Sequence, residues 1–169
     1  MLDFHTLYER YAAQVRRFAL FLSGDAALAD DITSDTFVRA WVARDRIEQA
    51  TVKGYLFTIA RNLYHDSRRE ERRFTDRADS FVDVHASAYR EVLAKTELSS
   101  VLAAMQQLPE IDRAALLMRA QEEMSYAEIS QSLGLSPIAV RVKIHRARQK
   151  LMRIRRVRQK EDYKMGEQK

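Results

Sequence analysis

Residues 124–151 read MSYAEISQSLGLSPIAVRVKIHRARQKL, and the punctuation of this stretch decides the fold. Ser125 and Glu128 stand three apart, so the serine hydroxyl can accept from the Glu128 N–H while the carboxylate reaches back to the Ser125 N–H. That is a capping box, and Met124 and Ile129 flank it where a hydrophobic staple would sit. A short helix to Leu133 follows, and Gly134 supplies the left-handed residue that ends it. Ser136 caps and Pro137 opens a second helix, where the missing proline N–H costs nothing. Val140, Ile144, Ala147 and Leu151 form its inward stripe. Short helix, glycine turn and proline-started helix make a helix-turn-helix. The outward positions of the second helix are Arg141, Lys143, His145, Arg146, Arg148 and Lys150. An α-helix fits the major groove of B-DNA, where arginine can donate two hydrogen bonds to guanine, and flanking cations neutralise phosphates.

Upstream, the apolar period is also helical. Val92, Leu98, Val101, Leu102, Met105 and Leu108 precede Pro109, which is expected to start a helix carrying Ile111, Ala115, Leu116 and Met118 inward. Phe74 to Ser87 has weak periodicity and scattered acids, and reads as a linker with room for a short helix. Before it, a helix over about Lys53–Arg73 buries Leu56, Ile59, Ala60 and Leu63, while Asn62, Asp66 and Arg69 share another face. The first helix is expected over Phe4–Leu22, on a stripe of Leu7, Tyr11, Val15, Phe18 and Leu22. Ser23-Gly24-Asp25 breaks it, and Asp25 caps the next helix. There, Ala29, Ile32, Thr33, Thr36, Phe37, Ala40 and Trp41 make a stripe, with Phe37 and Trp41 read as core. The opposite face carries Asp30, Asp31, Ser34, Asp35 and Arg39, and Asp35 and Arg39 are spaced as an i, i+4 ion pair.

The whole chain has 169 residues, 29 Lys and Arg against 24 Asp and Glu, and a net charge of +5. That total hides an alternation: residues 1–52 sum to −2, 53–77 to +3, 78–124 to −4 and 125–169 to +8. Two basic segments separated by an acidic one suggest two contacts with a polyanion. The absence of cysteine excludes a disulfide scaffold, a thiol nucleophile, a Cys-ligated zinc and an internal thiol switch. Four Gly and two Pro are too few for a barrel of short strands. No apolar run approaches the ~20 residues that span a bilayer. Met1-Leu2-Asp3-Phe4 lacks the start of a signal peptide, so a cytoplasmic protein without membrane insertion is expected.

Three stretches together resemble one family. Asp30-Asp31-Ile-Thr-Ser-Asp35-Thr-Phe37-Val-Arg39-Ala-Trp41 is similar to an acidic helix motif of the extracytoplasmic-function (ECF) sigma factors. Tyr55-Leu-Phe-Thr-Ile-Ala-Arg61-Asn62-Leu-Tyr-His65-Asp66-Ser-Arg68-Arg69 is similar to their second signature. Leu108-Pro109-Glu110, then Ser125 to Ile129, then Val140 to Arg148 is similar to their helix-turn-helix. The resemblance covers about residues 4–154. It implies an all-α fold of two small helical domains joined by a linker: 1–75 as region 2, 76–97 as linker, 98–157 as region 4 and 158–169 as a basic tail. It implies that Asp31, Asp35 and Arg39 dock on the β′ subunit of core RNA polymerase, with the β subunit a further partner. Arg61, Asn62, Asp66 and Arg69, with the loop at about Arg44–Lys53, would read the −10 promoter element and hold its strands apart. Arg119, Ser136, Arg141, Lys143, His145, Arg146 and Arg148 would meet the −35 element as duplex. An anti-sigma protein is the expected regulator, and no cofactor or metal is implied. Ser34 stands where the family usually has Gln, Tyr55 where it has Trp, Glu123 where it often has Gly, and His145 is an unusual recognition-helix residue.

Two other readings compete. His65-Asp66, with His5 or His85, could belong to a helical metal-dependent phosphohydrolase, but positive charge around His65 disfavours a metal. A one-component helix-turn-helix regulator would bind a palindrome alone, as a two-fold dimer. The sigma reading instead expects weak binding alone and an asymmetric, bipartite promoter.

Overall fold

The computed structural model describes residues 3–47, 52–76 and 97–166. The expected linker at 76–97, and part of the loop before Lys53, therefore fall almost wholly outside the described residues. Among those described there are seven α-helices, one short 3-10 turn and no strand. They are α1 (Phe4–Ser23), α2 (Ala26–Val42), the turn Arg44–Arg46, α3 (Val52–Thr75), α4 (Glu97–Gln106), α5 (Glu110–Ala120), α6 (Tyr126–Leu133) and α7 (Pro137–Gly166).

Local chemistry sets the helix ends. Asp3 and Asp25 cap α1 and α2 by accepting from the N–H groups of Thr6 and Leu28, at 3.1 and 3.0 Å. Pro109 precedes α5 as its N-cap, with ψ 140°, and the helix begins at Glu110. The expected proline-first start is thus displaced by one residue. Helix α7 runs on through the basic tail to Gly166. Residues 152–165 are mostly strong helix formers with neither Gly nor Pro among them, so nothing local stops the helix.

The N-terminal three helices close around Val15, Phe18, Leu22, Ile32, Phe37, Leu56, Phe57 and Ala60. Phe18 and Phe57 meet edge to face at 4.9 Å, an arrangement the ring quadrupoles favour. Trp41 departs from its expected core place: it is 38% exposed. It packs edge-on against Phe4 at 5.4 Å and lies under the Arg44 guanidinium at 4.3 Å. It stands in the last turn of α2, one step beyond the buried Phe37 and Ala40 of the same stripe.

The C-terminal helices close around Met105, Leu108, Ala115, Met118, Ile129, Val140, Ile144 and Ala147. Leu98 and Val101 remain half exposed on α4, and Leu102 and Met105 carry its burial. The two halves are not separate: their buried residues form one continuous cluster, with α5 packed on α1 and α6 packed on α3. Gly54 of α3 permits the second approach, because a Cβ there would lie 3.0 Å from the Ser132 hydroxyl. The Gln106 side chain donates to the Phe21 and Leu22 carbonyls, satisfying the exposed end of α1 from the other half. Arg113 is buried beside Tyr64 of α3, and burial pushes its guanidinium below its ordinary pKa.

Candidate nucleic-acid and polymerase interfaces

The helix-turn-helix is built as its sequence expects. Ser125 Oγ accepts from the Glu128 N–H at 3.1 Å, and Glu128 Oε2 accepts from the Ser125 N–H at 2.6 Å. The Ser125 N–H first, and the serine hydroxyl second, hold the Glu128 carboxyl below its ordinary pKa. Gly134 has φ 64° and closes α6. Ser136 Oγ accepts from the Ala139 N–H at 3.1 Å, so this candidate DNA contact also caps α7. Met124 and Ile129 are both buried beneath the turn. Leu151, expected inside, is only partly buried.

The basic candidates of α7 divide into two groups. Arg141, His145, Arg146 and Arg148 are exposed. Lys143 turns back toward Asp112 of α5, 3.5 Å away, and its side chain is only 19% exposed. Arg146 also reaches the Asp112 carboxylate, at 3.4 Å, while its own side chain stays 58% exposed. Asp112 is buried, so one carboxylate braces two cations of the recognition helix. Arg119 is anchored by donating to the Met124 carbonyl at 2.9 Å.

In the N-terminal half, Asp31, Asp35 and Arg39 are exposed on one side of α2, beside Ser34 and Val38. The expected Asp35–Arg39 pair does not form among the described residues. Arg39 instead faces Asp66 of α3 at 4.0 Å, because the interhelical partner lies within its reach. That contact joins the α2 face to Asn62, Asp66 and Arg69, all exposed on α3. Arg61 is separated from them. It forks onto Glu110 of α5 at 2.8 and 2.9 Å, both side chains being mostly buried. His65 Nε2 also lies 3.3 Å from Glu110. No group of three His, Asp or Glu among the described residues is arranged to hold a metal ion.

Sequence reasoning missed four residues. Glu110 and Asp112 are acids in the first turn of α5, a common place for acids, and no local pattern marks their distant partners. Glu122 lies in a turn with no periodic signal, yet its carboxylate is 1% exposed and receives Arg17 at 2.9 Å and Lys53 at 3.6 Å. Tyr126 sits inside the capping box with no chemical signal of its own, yet Arg119 and Arg141 each stand 4.9 Å from its ring centre.

Comparison with known proteins bears on the same two halves. The family description "Sigma-70 region 2" matches residues 7–74, and "Sigma-70, region 4" matches residues 98–151. The ECF RNA polymerase sigma factor SigM of Bacillus subtilis is 30% identical, over 86% of this chain and 90% of its own. The chain belongs to the ECF sigma factors of the sigma-70 family. The sigma factor EcfG of Rhodopseudomonas palustris is 31% identical, over 88% of this chain and 83% of its own. CnrH, solved in complex with the cytosolic domain of CnrY, superposes with TM-score 0.71 at 28% identity, covering 91% of this chain and 88% of CnrH. RpoE of Bartonella quintana, solved with the anti-sigma factor NepR, shares the fold with TM-score 0.77 at 24% identity, covering 92% of this chain and 98% of its own. The protein is thus an RNA polymerase sigma factor, and its relatives are transcription initiation factors rather than enzymes. No helix of this sigma factor among the described residues is long and apolar enough to cross a membrane.

Proposed function

We propose that this sigma factor directs core RNA polymerase, in the cytoplasm and without catalytic activity of its own, to promoters with separate −10 and −35 elements. The observation that carries this reading is the order of parts: a polar, partly acidic α2–α3 face first, and a helix-turn-helix with an exposed basic helix second. Region 2 is assigned to about 1–75, the linker to 76–97 and region 4 to 98–157. The helical tail 158–166 supplies further positive charge for phosphate attraction. Arg141, His145, Arg146 and Arg148 read or clamp the −35 duplex, and Ser136 adds the cap of their helix. Lys143 supports them through Asp112, and Arg119 meets a phosphate. Asp31, Asp35 and Arg39 dock on the β′ subunit, and the β subunit completes the polymerase contact. Asn62, Asp66 and Arg69 face the −10 element.

Arg61 can join the −10 set only when its bond to Glu110 parts, because one guanidinium fork cannot serve a carboxylate and a nucleotide at once. The closed packing of the halves is therefore read as a resting arrangement that opens on polymerase. A groove of about 1010 Å³ is walled by Leu28, Tyr64 and Arg68 from one half and by Val101, Ile154 and Arg155 from the other. A protein seated there would grip both halves and hold them shut, which suits control by an anti-sigma factor of the kind solved with RpoE.

Run-off transcription with core polymerase across a promoter library tests the function. Transcripts are expected from promoters sharing two spaced, asymmetric elements. A palindromic footprint by the protein alone, with no gain in transcription, would establish the one-component regulator instead.

A further inference from the structure

Two arginines assigned to DNA from separate helices converge on one aromatic ring. Arg119 leaves the last turn of α5, Arg141 leaves the second turn of α7, and each guanidinium carbon stands 4.9 Å from the Tyr126 ring centre. Tyr126 is the first residue of α6 and follows the capping serine. Its backbone is thereby fixed by the reciprocal Ser125–Glu128 bonds, and its partly buried ring packs against the core. The ring is thus held by the fold and offers its π-system to both cations.

We infer that Tyr126 is a positioning residue for −35 recognition, holding Arg119 and Arg141 ready before DNA arrives. The inference rests on the proposed promoter-reading role of region 4. An arginine is a long side chain whose rotamer freedom must be lost when it meets a base or phosphate. A guanidinium over an aromatic ring is attracted by the ring quadrupole and keeps its in-plane N–H donors free at the edge. Stacking itself therefore removes freedom without occupying the donors that DNA requires, although Arg119 also commits one N–H of its fork to the Met124 carbonyl. The ring contributes this through its face, so the phenolic hydroxyl is dispensable and the aromaticity is not. One ring serving two cations also makes their contributions interdependent.

The test uses the full chain assembled with core polymerase, and a fluorescent promoter fragment chosen from the run-off library. Tyr126→Leu keeps apolar bulk but removes the quadrupole, and is expected to weaken promoter binding roughly 5- to 30-fold, the loss of two cation–π contacts. Tyr126→Phe is expected to restore native binding within about twofold. In an Arg119→Ala, Arg141→Ala background, Tyr126→Leu is expected to change little more. A structural role would not give that pattern, since a misfolded turn would weaken binding whether or not the arginines were present. Native binding by Tyr126→Leu would overturn the inference. So would an equal loss in the arginine-free background, or a Tyr126→Phe variant as weak as Tyr126→Leu. If the native holoenzyme bound equally well to a fragment with a scrambled −35 element, the promoter-reading role itself would fall. A native −35 preference with a silent Tyr126→Leu variant would remove only the role of the ring.

Discussion

Glu123 is the sole non-glycine residue with positive φ among those described, at 54°. An L-residue in the left-handed region costs about 1–2 kcal/mol, and glycine returns roughly half of that gain through its unfolded-state entropy. Glu123→Gly is therefore expected to stabilise the protein by about 0.5–1 kcal/mol, read as a rise of ~1–4 °C in Tm by calorimetry. An unchanged or lower Tm would mean that the glutamate side chain contributes more than the strain costs. Glu128 gives a prediction in pH. Its carboxyl is held below its ordinary 4.5, first by the Ser125 N–H and then by the serine hydroxyl. A depressed folded pKa adds stability that is complete above the unfolded value and is lost as pH falls through the folded one. Native protein should therefore lose stability more steeply than Glu128→Gln below about pH 4.5 in denaturant titrations, and parallel curves would contradict this. Both residues show what local sequence can reveal. The capping box was legible because all its atoms lie within four residues. The strain at Glu123 was visible only as a departure from a family glycine, and φ had to be seen to interpret it.

At the scale of elements, helix punctuation was well written in the chain and helix faces less so. Asp25, Ser125, Gly134, Ser136 and Pro137 act as their types dictate. Periodicity places Trp41 and Leu151 inside and both lie partly outside, because a stripe tells which face is apolar and not how far a neighbour covers it. Arg39 illustrates the same limit: i, i+4 spacing offered Asp35, and packing supplied Asp66. The recognition helix α7 carries a separable prediction. Arg146→Ala should weaken −35 binding by ~1–3 kcal/mol if the guanidinium contacts a base, with the loss vanishing on a scrambled −35 element. An equal loss on both sequences would make Arg146 a phosphate contact. On α2, Asp35→Ala should reduce affinity for core polymerase in a direct binding assay while leaving helix content unchanged, and unaltered affinity would remove Asp35 from the docking face.

At the scale of the whole molecule, the sequence suggested two domains and the structure packs them on one continuous core. The contacts that join them are Arg61 with Glu110, Arg17 and Lys53 with Glu122, and Gln106 with the end of α1. All connect residues 49 or more apart in the chain, and no local pattern announces such pairs. Charge complementarity across that interface makes the closed state adjustable. The chain lacks cysteine, so dyes placed through Ser34→Cys and Gln149→Cys would report the separation of the halves by energy transfer. Glu110→Lys should shift the population toward larger separations, and Arg61→Glu added to it should restore the closed value. A distance indifferent to both would show that the apolar contacts alone set the arrangement.

The central claim is that one chain reads two spaced elements for one polymerase. The most direct measurement is run-off transcription from a library-selected promoter with its −10 and −35 elements scrambled separately. Loss of most transcription in each case is the expected result. Undiminished transcription after either element is scrambled would contradict two-element reading.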